Sequence, residues 1–363
     1  MSEEPLRVAL VGYGYAGRTF HAPLIRSTPG LNLAAVVTSR PAELRAGLTG
    51  CRALADVGQA LRDPAIALVV IATPNATHAP LAEASLRAGK HVVVDKPFTL
   101  SLTDARRLAA LAAERGRLLS VFQNRRWDAD FLALRAIIAA GGLGTVTHLE
   151  SRFDRFRPRV RDRWREAADG GGIWFDLGTH LVDQALVLFG LPERVGGAMA
   201  RRRPGAEADD WCQVHLDYGR LHVTLSASLL VGGGMPRFAA HGTDGSWVKH
   251  GLDVQEDQLR AGMLPGAADW GRDPRLALLH RDEGAPRECP VPPGDYPRYY
   301  RAVRDAILGR GPNPVTPAEA VATLAVLETA VEAERSGRVL PLPLSGAERR
   351  AFDVAYPPPL PAA

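Results

Sequence analysis

A glycine-rich turn, Gly12-Tyr13-Gly14-Tyr15-Ala16-Gly17, follows the first apolar run of the chain and opens a helical pattern. That context narrows the fold sharply. Gly12 permits a tight turn, Gly14 leaves the backbone open to a pyrophosphate, and Gly17 lets helix and strand pack closely. The N-terminus of the helix adds free N–H donors and a partial positive charge, so Tyr13, Tyr15 and Ala16 belong to the same candidate cofactor loop. On its own, the GxGxxG spacing is a common turn. At the head of a strand–helix series it points to dinucleotide binding.

The series is present. Apolar segments at 6–11, 33–38, 68–71, 91–95 and 118–121 alternate with helical patterns at 16–27, 77–88 and 102–115. Such βαβ units build a parallel sheet with helices on both faces. The rhythm changes after Gln123. A helix is expected near 130–140, a strand near 146–154, and a long helix over 173–189 that stops at Gly190. Alternating segments at 211–216 and 221–228 then read as antiparallel strands. In the second of these, Leu221, Val223, Leu225 and Ala227 share one face, and His222, Thr224, Ser226 and Ser228 share the other. Residues 251–293 carry no clear period, and helices are expected at 298–308 and 317–336. The fold class is therefore α/β. An N-terminal domain with a parallel sheet spans 1–123, an α/β domain with a largely antiparallel open sheet spans 124–345, and 346–363 form a C-terminal tail.

Composition removes several classes of function. The three cysteines, Cys51, Cys212 and Cys289, are far apart and lack CxxC spacing, which argues against a disulfide framework or thiolate metal site and for a reducing, cytoplasmic setting. No metal-ligand cluster stands out. No apolar run reaches the roughly 18 residues of a membrane span, and the first residues lack the layout of a signal peptide. The 44 basic residues exceed the 40 acidic ones, but only Lys90, Lys96 and Lys249 are lysines. The 41 arginines, set among abundant Ala, Gly and Pro, reflect codon bias, and no helix carries a basic stripe. A nucleic-acid partner is not expected.

The second strand ends Val37-Thr38-Ser39-Arg40, with no Asp or Glu to bind both ribose hydroxyls. Ser39 can donate a hydrogen bond and Arg40 can pair with a 2′-phosphate or stack on adenine, which favours NADP and leaves NAD possible. Alternatively, Arg40 is one more solvated arginine. Asn124 begins the exit from the first domain; reaching a ligand and satisfying backbone groups are equally good accounts of it.

Three further motifs go beyond a generic dinucleotide fold: Thr73-Pro74-Asn75 with His78, Asp95-Lys96-Pro97-Phe98, and Gly171-Gly172-Ile173-Trp174-Phe175-Asp176-Leu177-Gly178-Thr179-His180 with Asp183. In this order they resemble the Gfo/Idh/MocA oxidoreductases, with their GxGxxG, [E/D]KP and GGxxxDxGxHxxD signatures. The stretches GYGYAGRTFHAPLI, VVVDKPFTL and QNRRWDADF look most like the NADP-dependent scyllo-inositol dehydrogenase subgroup. The one departure is Asp95 where many members carry Glu. The resemblance implies a Rossmann domain, a nicotinamide cofactor held by residues that include Thr73, Pro74, Asn75, His78, Asp95, Lys96 and Pro97, and a small polyol or sugar substrate. It also implies a cis Lys96–Pro97 bond and a homodimer or homotetramer formed through the C-terminal sheet.

Lys96 follows a strand at the carboxyl edge of the sheet, where an ammonium can stabilise developing alkoxide charge. Lysine is scarce here, which weighs against an incidental surface residue. Asp176, His180 and Asp183 fall at i, i+4 and i+7 of one helical stripe. An isolated histidine there reads as structural, but three ionisable groups behind a glycine pair read as a site. The expected catalytic set is Lys96, Asp176 and His180. The arginine-rich stretch 155–165 is mostly a solvated loop, with Arg163 and Trp164 as its candidates for ligand contact. Three rival readings stand beside a cyclitol dehydrogenase: a reductase of another sugar or anhydro-sugar, an NAD-dependent glycosidase, and a non-catalytic dinucleotide-binding regulator. Retained Lys96 and His180 speak against the regulator.

Overall fold

Val8, Ala9 and Leu10 are fully buried in strand β1 (Leu6–Val11). A strand apolar on both faces belongs inside a sheet covered on both sides. The computed structural model describes residues 4–42, 44, 48–161, 166 and 171–355. In it, β2 (Leu31–Val37), β3 (Arg52–Leu54), β4 (Ile66–Ile71), β5 (His91–Val94) and β6 (Leu119–Val121) join β1 in the order β3-β2-β1-β4-β5-β6. Every pair is parallel. The order reverses between β1 and β4, and ligands of open α/β sheets bind at such a crevice. Helices α1 (Ala22–Arg26), α2 (Val57–Arg62), α3 (His78–Arg87) and α4 (Leu102–Arg115) form the connections. Ser101 caps α4 by accepting the Asp104 N–H, and Gly116 ends it in the left-handed conformation.

The second sheet has nine strands. After α5 (Ala129–Ala139) come β7 (Val146–Asp154), α6 (Thr179–Phe189), β8 (Arg194–Ala200), β9 (Trp211–Asp217), β10 (His222–Ser228), β11 (Phe238–Gly242) and β12 (Gly245–Lys249). The sheet is completed by β13 (Ala277–His280), β14 (Arg287–Cys289) and β15 (Leu340–Pro341), in the order β14-β13-β12-β11-β7-β10-β9-β8-β15. β7 and β10 run parallel and the other pairs antiparallel. Its inner face carries Leu149, Phe153, Val214, Val223, Leu225 and Ala227, all buried, with α6 against β7 and β10.

The outer face is built by long side chains. Thr224, Ser226 and Ser228 do not form an open, small-sided surface; they are 9%, 4% and 4% exposed. In register they lie between Glu150, Arg152 and Asp154 of β7 and His215, Gln213 and Trp211 of β9. Those longer neighbours build the face instead.

The chain forms two compact units, each drawn from more than one stretch of sequence. The first unit runs to Trp127 and takes back two later segments, Val254–Gly271 and Asp295–Ala320. These carry α7 (Gln255–Arg260), α8 (Pro297–Ile307) and the first turn of α9 (Pro317–Ser336). Within this unit Tyr296, Tyr299 and Tyr300 are fully buried, and the Tyr299 ring meets Phe122 edge-on at 5.0 Å. Arg126 donates to Glu319 at 2.6 Å, both side chains being buried. Burial pushes the Glu319 carboxyl up, but Arg126 and Thr316 hold it below the usual range. The second unit holds the remainder, ending in α10 (Gly346–Ala355). Residues 346–355, the first part of the C-terminal tail, are helical. Among the described residues no helix is long and apolar enough to cross a membrane.

Candidate active site

The three glycines of the first turn are of two kinds. A Cβ on Gly12, whose φ is +97°, would lie 2.4 Å from the Ala72 carbonyl oxygen, and one on Gly17 would lie 2.2 Å from the Gly12 oxygen. Both positions are closed by the protein itself. A Cβ on Gly14 would meet nothing within 4 Å. The cradle above Gly14 is therefore open, as a dinucleotide pyrophosphate requires. The helix that follows begins with a π-helical turn, Gly17–His21, before α1. Tyr13 is buried, which pushes its hydroxyl pKa up. Tyr15 is 42% exposed and donates to Glu256 Oε1 at 2.7 Å.

Ser39 and Arg40 are exposed just past β2. Past β4, Thr73, Pro74 and Asn75 lead into a 3-10 turn, Asn75–Thr77, in which Thr77 Oγ1 donates to Thr73 Oγ1 at 2.6 Å. Buried His78 ties this loop to the next, with Nε2 2.9 Å from the Thr73 oxygen and Nδ1 2.8 Å from the Pro97 oxygen. The Lys96–Pro97 bond is cis, as the motif implied. The Asp95 carboxylate accepts the Lys96 N–H at 2.8 Å, and buried His21 Nε2 lies 3.8 Å from its other oxygen. Burial pushes the Asp95 carboxyl up, but His21, Lys96 and His78 together hold it below the usual range.

The three lysines divide by role. Lys90 is buried and donates to the Asp63 and Ile66 carbonyls, at 2.7 and 2.9 Å. Lys249 is fully buried against Asp273 at 2.9 Å. Both serve the fold, whereas Lys96 is half-buried at the sheet's carboxyl edge. Asn124 is 4% exposed within a 3-10 turn, Asn124–Trp127.

In the second unit, the glycine-rich motif makes a second π-helical turn, Trp174–Gly178, ahead of α6. π turns inside α-helices recur at functional sites. A Cβ on Gly178 would lie 2.2 Å from the buried Trp174 ring, whose Nε1 donates to the Leu327 oxygen. Asp209 holds the start of this turn by accepting the Trp174 N–H at 2.8 Å; burial raises its carboxyl pKa. The wide turn changes the expected stripe. Asp176 is half-buried and lines a small pocket with Arg155, Arg157, Arg203 and Asp209. His180 and Asp183 are buried, at 3% and 2% exposure, with the His180 ring centroid 6.3 Å from that of Phe153. Arg163 and Trp164 lie outside the described residues. No group of three or more His, Cys, Asp or Glu suited to a metal ion occurs among the described residues.

Sequence reasoning missed Glu256, Arg125 and Asp209. Glu256 and Asp209 lie in stretches without a clear period, and their partners are 241 and 35 residues away. Arg125 stood in the QNRRW motif, but nothing local distinguished it from its neighbours.

Comparison with known proteins places this geometry. Residues 6–123 match the family model "Oxidoreductase family, NAD-binding Rossmann fold", and residues 135–344 match "Oxidoreductase family, C-terminal alpha/beta domain". The uncharacterized oxidoreductase YdgJ of Escherichia coli is 48% identical over 334 residues, covering 91% of this chain and 96% of that relative. The scyllo-inositol 2-dehydrogenase (NADP(+)) IolW of Bacillus subtilis is 35% identical over 345 residues, 93% and 96% of the two chains. A crystal structure from Klebsiella pneumoniae superposes with a TM-score of 0.92 at 50% identity, covering 97% of this chain and 99% of that one. Matched in both halves and over nearly its full length, the chain belongs to the Gfo/Idh/MocA family of oxidoreductases, enzymes that act as dehydrogenases or reductases around an NAD-binding Rossmann domain.

Proposed function

We propose that the protein is an NADP-dependent dehydrogenase or reductase that interconverts a secondary alcohol and a ketone on a cyclitol or sugar, with NAD as a weaker alternative. The observation that carries this reading is the presence of Lys96, Asp176 and His180 within the family motifs of a chain 35% identical to IolW across 93% of its length. The open cradle at Gly14 supports dinucleotide binding, with the Thr73–Asn75 loop as a second wall. Ser39 and Arg40, without a carboxylate beside them, support the 2′-phosphate. When bound, the nicotinamide supplies the hydride chemistry.

The residues supply the rest. Removing hydride from an alcohol carbon requires the hydroxyl proton to leave too. Imidazole gains and loses a proton near neutral pH, so His180 is assigned the proton transfer. Asp176 orients a substrate hydroxyl. Lys96 donates to the substrate oxygen and stabilises its developing charge. Self-association through the outer face of the nine-stranded sheet, and a cytoplasmic setting, belong to the same reading.

The test is a panel of polyols and keto-sugars with NADP(H), followed by absorbance. On the substrate found, His180→Ala is expected to cut turnover by ~10²–10⁴ and leave dinucleotide affinity unchanged. Arg40→Ala is expected to weaken NADP and spare NAD. Near-normal turnover in His180→Ala would remove the assignment.

A further inference from the structure

The phosphate-binding turn is tied down by a helix from much later in the chain. Tyr15, the residue after Gly14, donates its hydroxyl to Glu256 Oε1 at 2.7 Å. Glu256 Oε2 accepts from Arg125 Nη2 at 2.6 Å, and Arg125 Nη1 donates to the Tyr296 hydroxyl at 2.9 Å. Arg125 is 7% exposed and Glu256 22%, so the ion pair is largely shielded from water. Glu256 is itself held firmly. Its neighbour Gln255 is fully buried, donates to the Trp127 oxygen at 3.0 Å and accepts the Tyr296 N–H at 2.8 Å. The Tyr15 ring meets Phe20 edge-on at 6.1 Å, and Phe20 packs on Tyr296 at 6.3 Å. All these residues belong to the first unit.

This arrangement is costly for an exposed side chain. A tyrosine that is 42% exposed ordinarily keeps its rotamer freedom and hydrogen-bonds to water. Here it is fixed from both ends, ring and hydroxyl, at the first turn of the helix whose N–H groups face the cradle. Fixing a loop before its ligand arrives removes an ordering cost from binding. The carboxylate would repel a nearby phosphate, but Arg125 neutralises it. We infer that Glu256 is a positioning residue for the dinucleotide: with Arg125 it latches Tyr15, keeps the phosphate-binding turn in its receptive shape, and slows cofactor release. The inference rests on the dinucleotide-binding reading above and deepens it.

Tyr15→Phe tests it, since the ring and its contact with Phe20 remain while the donor to Glu256 is lost. Binding and release of NADPH and NADH are followed by stopped-flow fluorescence without substrate, beside thermal melts of the ligand-free protein. The expected result is dissociation about 5–10-fold faster, with an apo melting temperature within about 2 °C of wild type. Glu256→Gln should speed release less in the Tyr15→Phe background than in wild type, because the part of its effect carried by the Tyr15 bond is already gone. Release at the wild-type rate in Tyr15→Phe overturns the latch, as does a Glu256→Gln effect of the same size in both backgrounds. A wild-type protein that binds neither nucleotide overturns the dinucleotide reading itself, and the latch falls with it.

Discussion

Replacing Gly14 and Gly17 by alanine, one at a time, should separate the ligand seat from the scaffold that holds it. At Gly14 the new methyl meets nothing within 4 Å, and the backbone there is not in the left-handed region. The unfolded chain loses freedom without any native clash, which stabilises by about 0.4–1 kcal/mol. For a unit of this size that corresponds to a melting temperature roughly 1–4 °C higher in the ligand-free protein. The same methyl occupies the approach to the backbone. Losing one charge-assisted hydrogen bond to a phosphate costs about 1.5–3 kcal/mol, or roughly 10–150-fold in affinity. Differential scanning fluorimetry reads both effects. At a nucleotide concentration about 100 times the wild-type Kd, ligand stabilises the wild type by about 2.7 kcal/mol; after a 100-fold loss of affinity about 0.4 kcal/mol remains. Gly17→Ala should behave oppositely. Its methyl would lie 2.2 Å from the Gly12 oxygen, so the ligand-free protein itself should be less stable, by about 1–3 kcal/mol. A Gly14→Ala protein that melts several degrees below wild type, or that binds NADP(H) as wild type does, would refute this separation of seat from scaffold.

Two stability predictions come from buried groups away from the site. His91 Nδ1 accepts the Leu118 N–H at 3.0 Å, which only a neutral ring can do; burial, with Arg117 nearby, lowers its pKa to about 4. Folding stability should therefore be complete above about pH 6.5 and fall as pH drops towards 4, by about 1–2 kcal/mol once partial exposure is allowed for. Urea titrations across that window should show the slope, and His91→Gln should flatten it; an unchanged slope would reject the assignment. Lys249→Met leaves Asp273 fully buried with only Arg275 to neutralise it, at an expected cost of about 3 kcal/mol. A melting temperature within 2 °C of wild type would contradict this.

The Rossmann half was legible because its strands are apolar on both faces and its turns carry glycine where geometry requires it. β1, β4 and β5 announce themselves in this way. β3 and β14 did not, since three residues with mostly exposed side chains leave no period to detect. The Asp176, His180 and Asp183 stripe assumed an unbroken α-helix. The turn at Trp174–Gly178 is instead π-helical, with Gly178 leaving room for the Trp174 ring, and residue spacing alone does not distinguish a π turn from an α turn. The exposure of the outer sheet face depends on neighbouring strands. Alternation along β10 assigns residues to faces correctly, but Glu150, Arg152 and Gln213 on neighbouring strands decide which of them reach solvent. Glu256 and Asp209 were invisible because their partners come from distant stretches of chain.

The assembly of the first unit from three separated stretches has a consequence for how the polypeptide is made. Arg125 and Arg126 leave the ribosome well before Glu256 and Glu319, the carboxylates that neutralise them. A nascent chain that has only reached Trp127 therefore carries two guanidinium groups destined for burial with no counter-charge yet synthesised. Burying such charges unpaired costs several kcal/mol, so the Asn124–Trp127 turn cannot take its buried place until translation has passed residue 319. The nucleotide-binding half is the first to be translated, and its closing stretch waits until most of the second half has emerged.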